Sequence, residues 1–367
     1  MSVRKFRSLF LVFKLDRPTV QLYNHLTDSG MEVEVLSRTL EPEGPVAPRF
    51  SIEPIEVGHS GFDFRTVRML RDRIRRRAYD LIQANTSTQQ LHLNLASRGF
   101  PVKRCAYRGA FGRSARFQPK AWLTYRHRAL DKILCVSAAI HRQMEQDGID
   151  PRKLITIHKG HDVRWYQAHP REMLEELGVP VGAFVVGFLG HMTRTTKGAD
   201  VLLDAFALLP PKLPIHLLFI GPKDDEMARR FDADPRRRDR LHYLGFRKDG
   251  ASILGACDAA AFPSRADGFP RALIEGMSQG VPAVVSDSGG MTEVVTDRQN
   301  GLIVPSQDPA ALAEALRFLH DHRELVERYG ESARKTIETD FSVDRFCEKT
   351  FAVYDGLLDI RSGAGTG

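Results

Sequence analysis

At 367 residues with 42% hydrophobic composition, the chain is long enough to bury two ordinary cores, and two domains are expected. No apolar run reaches the roughly 18 residues of a membrane span, and the basic start MSVRKFRSLFLVFKLDRP lacks a long apolar region and a small-residue cleavage site, so a cytoplasmic protein is expected. The four cysteines, Cys105, Cys135, Cys257 and Cys347, are far apart in apolar or amphipathic segments, which argues against a disulfide framework or zinc site and for buried free thiols.

Short apolar strands alternate with amphipathic helices from the start. SLFLVF is followed by a helix from Thr19 to Asp28, then MEVEVLS, FSIEPIEV, a helix around 64–78, YDLIQAN, a helix from Ser87 to Ser97, VKRCAY and DKILCVS. After a polar, irregular stretch from Asp162 to Gly182 a second series begins: FVVGFLG, KGADVLLDAFALL, IHLLFIG, LHYLGF, DAAAFPS, VPAVVS and GLIVP. The rhythm is that of an α/β parallel sheet, and it occurs twice. Pro309 to Ile360 reads as helices only, and residues 361–367 as a disordered tail.

Open α/β sheets bind ligands beyond the C-terminal ends of their strands, and two such sheets facing a central cleft would share that region. The loops after VVGFLG and DAAAFPS are therefore the places to look. The first supplies cations, Arg194 and Lys197, with Gly190 and His191 beside them. The second, RADGFPRALIEG, sets Asp267 before a helix expected to begin at Pro270 and Glu275 inside it, with Gly280 as its stop. Amides around Gly268, Phe269, Arg271 and Ala272 at that helix start suit an anion, and the helix dipole adds to them. Two acids beside a phosphate seat make sense if they hold hydroxyl groups of the same ligand. Cations plus a helix start describe a diphosphate site, and Glu275 is left to bind a vicinal diol such as a ribose.

The tracts GFLGHMTRTTKGADVLLDAF, FPSRADGFPRALIEGMSQGVPAVVSDSGGMTEVV and CVSAAIHRQMEQDGIDPRKLITIHKGHD resemble the retaining family 4 glycosyltransferases of the GT-B fold, over roughly residues 80–310. The most specific piece is the pair of acids separated by seven residues, followed by GVPAVVSDSGG. The resemblance implies two Rossmann-like domains: an acceptor-side domain over 1–170, a nucleotide-sugar domain over 171–345, and a C-terminal helix, 346–360, crossing back to the first. It implies that Asp267 contacts the donor sugar, Glu275 the ribose, and Lys197 the diphosphate, with Gly268, Phe269, Pro270 and Arg271 in the donor loop. The family's arginine after the loop glycine is His191 here, so either His191 or Arg194 takes that role. The family's first acid is usually Glu rather than Asp. Its Gly-Gly loop after the first strand is replaced by KLDRPTV, and Arg108 and Gly109 stand near where a first-domain histidine is usual.

The implied activity is retaining transfer of a sugar from a nucleoside-diphosphate sugar to a glycan or lipid-linked acceptor, in cell-surface polysaccharide or lipopolysaccharide biosynthesis, with no cofactor and no metal. As a sugar leaves, negative charge builds on the departing phosphate, and Lys197, Arg194 and the amides of Gly268 and Phe269 would stabilise it. A dinucleotide-dependent oxidoreductase is disfavoured because no G-x-G-x-x-G follows the first strand. A nucleotide-sugar epimerase or phosphorylase, and a catalytically silent nucleotide-sugar-binding or scaffold protein, are the alternatives.

Charge is uneven. Residues 1–170 hold 29 Lys and Arg against 16 Asp and Glu, whereas 171–367 hold 24 against 30, within a formal net charge of +7. The densest patch is FRTVRMLRDRIRRRA, where Val67, Leu70 and Ile74 form an apolar stripe and Arg68, Arg71, Arg75 and Arg76 take the other faces. Such a face suits an anionic membrane surface and peripheral attachment to the inner face of the membrane. Without an aromatic stacking pattern or a known binding motif, nucleic acid is not expected.

Overall fold

The computed structural model describes residues 5–44, 46–55, 62–112, 122–193, 195–232 and 239–360, and the chain divides into two units. The first comprises Met1–Gly160 with Val343–Gly367, the second His161–Ser342. The break thus precedes the expected boundary at 170. The tail at 361–367, for which disorder is expected, and Arg194 lie outside the described residues.

In the first unit, β1 (Arg7–Val12), β2 (Glu32–Ser37), β3 (Ser51–Pro54), β4 (Leu81–Ala84), β5 (Lys103–Arg108), β6 (Lys132–Cys135) and β7 (Leu154–Thr156) form one parallel sheet in the order β3-β2-β1-β4-β5-β6-β7. Leu9 to Val12 are all buried, as the strand of a sheet covered on both faces requires. The first helix, Arg17–Asp28, starts earlier than Thr19. Asp16 caps it by accepting from the Thr19 amide, and Pro18 suits the first turn. A helix at Ala138–Gln146, capped by Ser137, and the strand β7 were not anticipated. Val343–Leu358 packs in this unit: Tyr354 is fully buried, its ring lies 6.0 Å from Phe10, and its hydroxyl donates to Gln83 Oε1 at 2.8 Å.

In the second unit, β8 (Phe184–Leu189), β9 (Ile215–Ile220), β10 (Leu241–Gly245), β11 (Ala259–Phe262), β12 (Ala283–Ser286) and β13 (Gly301–Val304) form a second parallel sheet, ordered β10-β9-β8-β11-β12-β13. Alternate side chains feed two cores. Phe184, Val186 and Phe188 pack with the helices Ala199–Leu208 and Pro309–Asp321, while Val185, Leu218 and Ile220 pack with Gly250–Gly255, Arg271–Ser278 and Arg323–Asp340. The stretch 162–182, expected to be irregular, contains a short helix at Glu172–Glu176. All four cysteines are free and buried, and burial pushes the Cys135 and Cys347 thiols up to about 12, which leaves them unreactive.

Both sheets reverse their strand order once, between β1 and β4 and between β8 and β11. At such a switch point the helices that follow the two strands pack on opposite faces of the sheet, and ligands of this architecture bind at the strands' C-terminal ends.

Candidate functional site

In the second unit the switch point gathers the loops after β8 and β11. These are the two loops singled out by their cations and acids. They meet backbone to backbone at Gly198, whose φ of +72° is left-handed and where an added Cβ would stand 1.9 Å from the Pro263 carbonyl oxygen. Gly289, φ +68°, makes the same kind of approach from the loop after β12: an added Cβ would lie 2.0 Å from the Asp267 carbonyl, which also accepts from the Gly290 amide at 2.9 Å. Gly198→Ala is therefore expected to lower stability by on the order of 3 kcal/mol, from the left-handed φ together with the clash, read as a shift in the denaturant midpoint. An unchanged midpoint would mean that the loops are not held in this contact.

The contact brings Lys197 to Asp267. Lys197 ends a 3-10 turn, Thr195–Lys197, and its Nζ donates to Asp267 Oδ2, with the lysine side chain 28% and the aspartate 12% exposed. Asp267 is thus held by the very cation expected to bind a phosphate, a pairing that sequence spacing does not reveal. His191 is exposed on the same loop, and Gly190 donates its amide to Ile220 at the end of β9.

The second acid lies on the helix Arg271–Ser278. Pro270 is the residue before its first helical one, not the first itself; its backbone is extended, at φ −71° and ψ 117°, and it supplies no side-chain cap. Gly280, at φ +80°, follows the C-cap and ends the helix as expected. Glu275 is buried, only 7% exposed, and Arg271 Nε donates to its Oε1 at 2.8 Å across one helical turn. Gly268 is buried, and Phe269 packs against Phe341 with ring centroids 5.7 Å apart.

Two charged residues that the sequence reading missed tie these loops together. Arg265 donates to both carboxylate oxygens of Asp200, at 2.8 and 2.5 Å, and to the Thr195 carbonyl at 2.5 Å; its backbone amide reaches the Thr196 carbonyl at 2.8 Å. Its Nε reaches Gln307 at 3.1 Å, in the loop after β13. Ser286, the last residue of β12, and Ser288, in the loop leaving it, both donate to the Ser264 carbonyl. The pairing with Arg265 also acts on Asp200: burial would raise its carboxyl, but the hydrogen bonds and charge of Arg265 outweigh burial and hold it below the usual range.

In the first unit the corresponding helix start is already occupied by an acid. Asp16 follows β1, accepts from the Thr19 amide and hydroxyl at 3.1 and 2.6 Å, and pairs with Lys159 Nζ at 2.6 Å. Burial alone would raise its carboxyl, yet the Lys159 ammonium and these hydrogen bonds hold it at about 2. A carboxylate at that position repels phosphate, consistent with KLDRPTV having replaced a glycine-rich loop. Arg108, at the end of β5, donates to the Gly112 carbonyl at 3.0 Å and lies over the Tyr125 ring, and Gly109 is exposed beside it.

The chain contains one Asp-x-Asp triplet, Asp232-Ala233-Asp234; Asp232 ends the helix Asp225–Asp232, and the other two residues lie outside those described. Among the described residues no three His, Cys, Asp or Glu are grouped to hold a metal ion.

Residues 171–336 match the family model described as glycosyl transferases group 1, and residues 17–165 the one described as glycosyltransferase family 4. Among curated proteins, the chain is 32% identical over 199 residues to the D-inositol 3-phosphate glycosyltransferase of Corynebacterium kroppenstedtii, covering 50% of this chain and 44% of that one. It is 28% identical over 207 residues to the O-antigen chain mannosyltransferase C of Escherichia coli, covering 55% and 53%. The chain thus spans about half the length of the curated relatives it matches. Among solved structures, the Anabaena protein Alr3699/HepE in complex with UDP superposes with a TM-score of 0.79 at 20% identity, over 96% of this chain and 100% of that one. At that identity the likeness speaks for the fold.

Proposed function

The chain belongs to the family 4 type of glycosyltransferases with the GT-B fold, and from that premise we propose that it moves a sugar, with retention of anomeric configuration, from a nucleoside-diphosphate sugar to a glycan or lipid-linked acceptor. Cell-surface polysaccharide or lipopolysaccharide synthesis is the process proposed for it; one relative is named as an O-antigen chain mannosyltransferase. The observation that carries the reading is the meeting of Lys197 and Asp267 at the switch point of the second sheet, with the buried Glu275 on the helix that follows.

The chemistry follows from charge. As the glycosidic bond to phosphate breaks, the sugar carbon becomes cationic and the departing diphosphate gains negative charge. Lys197 is a cation already held at the C-terminal end of the sheet, and exchanging its Asp267 partner for the departing diphosphate sets it against the growing anion. Asp267 is an acceptor for sugar hydroxyls and can balance the cationic ring, while Glu275 binds the ribose. We propose that these groups do without a divalent metal and that the leaving phosphate takes the acceptor proton.

A panel of nucleotide-sugars, followed by thermal shift and by nucleotide release, tests this. Release of nucleoside diphosphate with transfer to an acceptor is the expected result. A thermal shift without turnover would favour a silent binding protein, and no response to any donor would reject both.

A second reading concerns where the acceptor is met. On the helix Phe64–Arg77, Arg65, Arg68, Arg75, Arg76 and Arg77 are exposed, and Phe62, Phe64 and Met69 are exposed beside them. Arg71 does not belong to this face, contrary to the sequence expectation. It donates to the Ala96 and Arg98 carbonyls at 3.2 and 2.8 Å and lies over the Phe100 ring. Arg73 pairs with Glu34 and Glu53. Exposed cations with interleaved apolar side chains suit an anionic lipid surface. Among the described residues no helix is long and apolar enough to cross a membrane, so contact would be peripheral. Replacing Arg65, Arg68, Arg75 and Arg76 by Gln should weaken sedimentation with phosphatidylglycerol vesicles by about two to three orders of magnitude, at roughly 1 kcal/mol per cation. Binding insensitive to both salt and these substitutions would leave a soluble acceptor as the better account.

A further inference from the structure

We propose that Arg265 and Asp200 form a positioning brace for the donor site, acting through Lys197 and not by touching the donor; the proposal rests on the donor-site reading above. Both residues are only partly exposed, 28% for the arginine side chain and 25% for the aspartate, and they join the loops that carry Lys197 and Asp267.

The geometry argues for positioning over direct contact. A guanidinium has five N–H donors, and the bonds to Thr195, to both oxygens of Asp200 and to Gln307 commit four of them. The backbone amide of Arg265 is also bound to Thr196. Every one of these partners except Gln307 lies in the Thr195–Asp200 segment, which contains Lys197. The segment therefore has its turn fixed by Arg265 on one side and by the close approach of Gly198 to Pro263 on the other.

Electrostatics gives the brace a second effect. Asp200 lies in the first turn of the helix Ala199–Leu208, where the dipole favours a carboxylate. Left without Arg265, that carboxylate would compete for the Lys197 ammonium and add negative charge beside an incoming diphosphate. Arg265 neutralises it and leaves Lys197 paired with Asp267, from which a donor phosphate can take it. A lysine at 265 would keep the charge but not the planar fork that spans Asp200 and Thr195 together.

Calorimetry with UDP, GDP and ADP on the whole chain tests the brace, with Lys197→Ala, Arg265→Lys, Asp200→Asn and the double variant Arg265→Lys/Lys197→Ala. Arg265→Lys is expected to weaken binding of the preferred nucleoside diphosphate about tenfold, yet by less than about twofold when Lys197 is already alanine, because the arginine acts through that lysine. Asp200→Asn loosens the grip of Arg265 on the turn but also removes the carboxylate's own repulsion, so it is expected to weaken binding less than Arg265→Lys and again only while Lys197 is present, which keeps the test open if Arg265→Lys folds poorly. Equal losses in both backgrounds would overturn the brace, since they would mean that Arg265 acts independently of Lys197. A neutral Arg265→Lys alongside a damaging Lys197→Ala would overturn the brace alone. A neutral Lys197→Ala, or no nucleotide binding by the native chain, would remove the donor site and the brace with it.

Discussion

Replacing Lys197 by alanine should lower turnover on the order of 100-fold, the usual cost of losing one preorganised donor at a developing oxyanion. The size of the effect follows from where the ammonium stands. It is part-buried at the end of a 3-10 turn, its turn is bonded to Arg265, and it is already paired with Asp267. A surface lysine would lose most of its effect to solvent and to side-chain freedom; this one has little of either to lose. Steady-state turnover with the donor identified from the panel, together with the thermal shift on adding the matching nucleoside diphosphate, gives the comparison. Most of the shift should vanish with the lysine. Turnover within threefold of the native chain would reject the assignment of the diphosphate site.

How much of this was legible in the sequence differs between the loops and the contacts among them. The strands β8, β9, β11 and β12 are short apolar runs bounded by glycine or proline, so their positions, and hence the loops that follow them, could be read directly. The strand β7 could not, because Leu154–Thr156 is too short to display a period. Placements read from one stretch alone, such as Glu275 inside a helix ended by Gly280, correspond to what the backbone does. Pairings across stretches were hidden. That Lys197 meets Asp267 depends on Gly198 letting one loop rest on the carbonyl of another, and no pattern within either loop encodes it. Arg265 carries no periodic signal, and its importance emerges only when Asp200 and Thr195 are brought to it in space. Arg71 shows the converse limit: helical spacing assigns it to a basic face, but carbonyls at the end of the neighbouring helix capture it.

The pairings also sharpen the division of labour between the two acids. Glu275→Ala should weaken binding of the free nucleoside diphosphate by about 10- to 100-fold, the equivalent of one hydrogen bond to a charged group. The carboxylate is buried, and Arg271 bonds one of its oxygens, Oε1, which fixes its orientation. Asp267→Ala should act in the opposite sense on the same measurement. Its carboxylate is the resident partner of Lys197, so removing it spares a phosphate the work of displacing that partner, and nucleotide affinity should hold or rise. Transfer should nevertheless fall steeply, because the acceptor for the sugar hydroxyls and the counter-charge to the cationic ring are both gone. Calorimetry on the two variants, paired with single-turnover transfer, separates binding from chemistry. Equal losses of nucleotide affinity in the two would mean that the acids are not divided between ribose and sugar, and that Asp267 steadies the loop instead of meeting the donor.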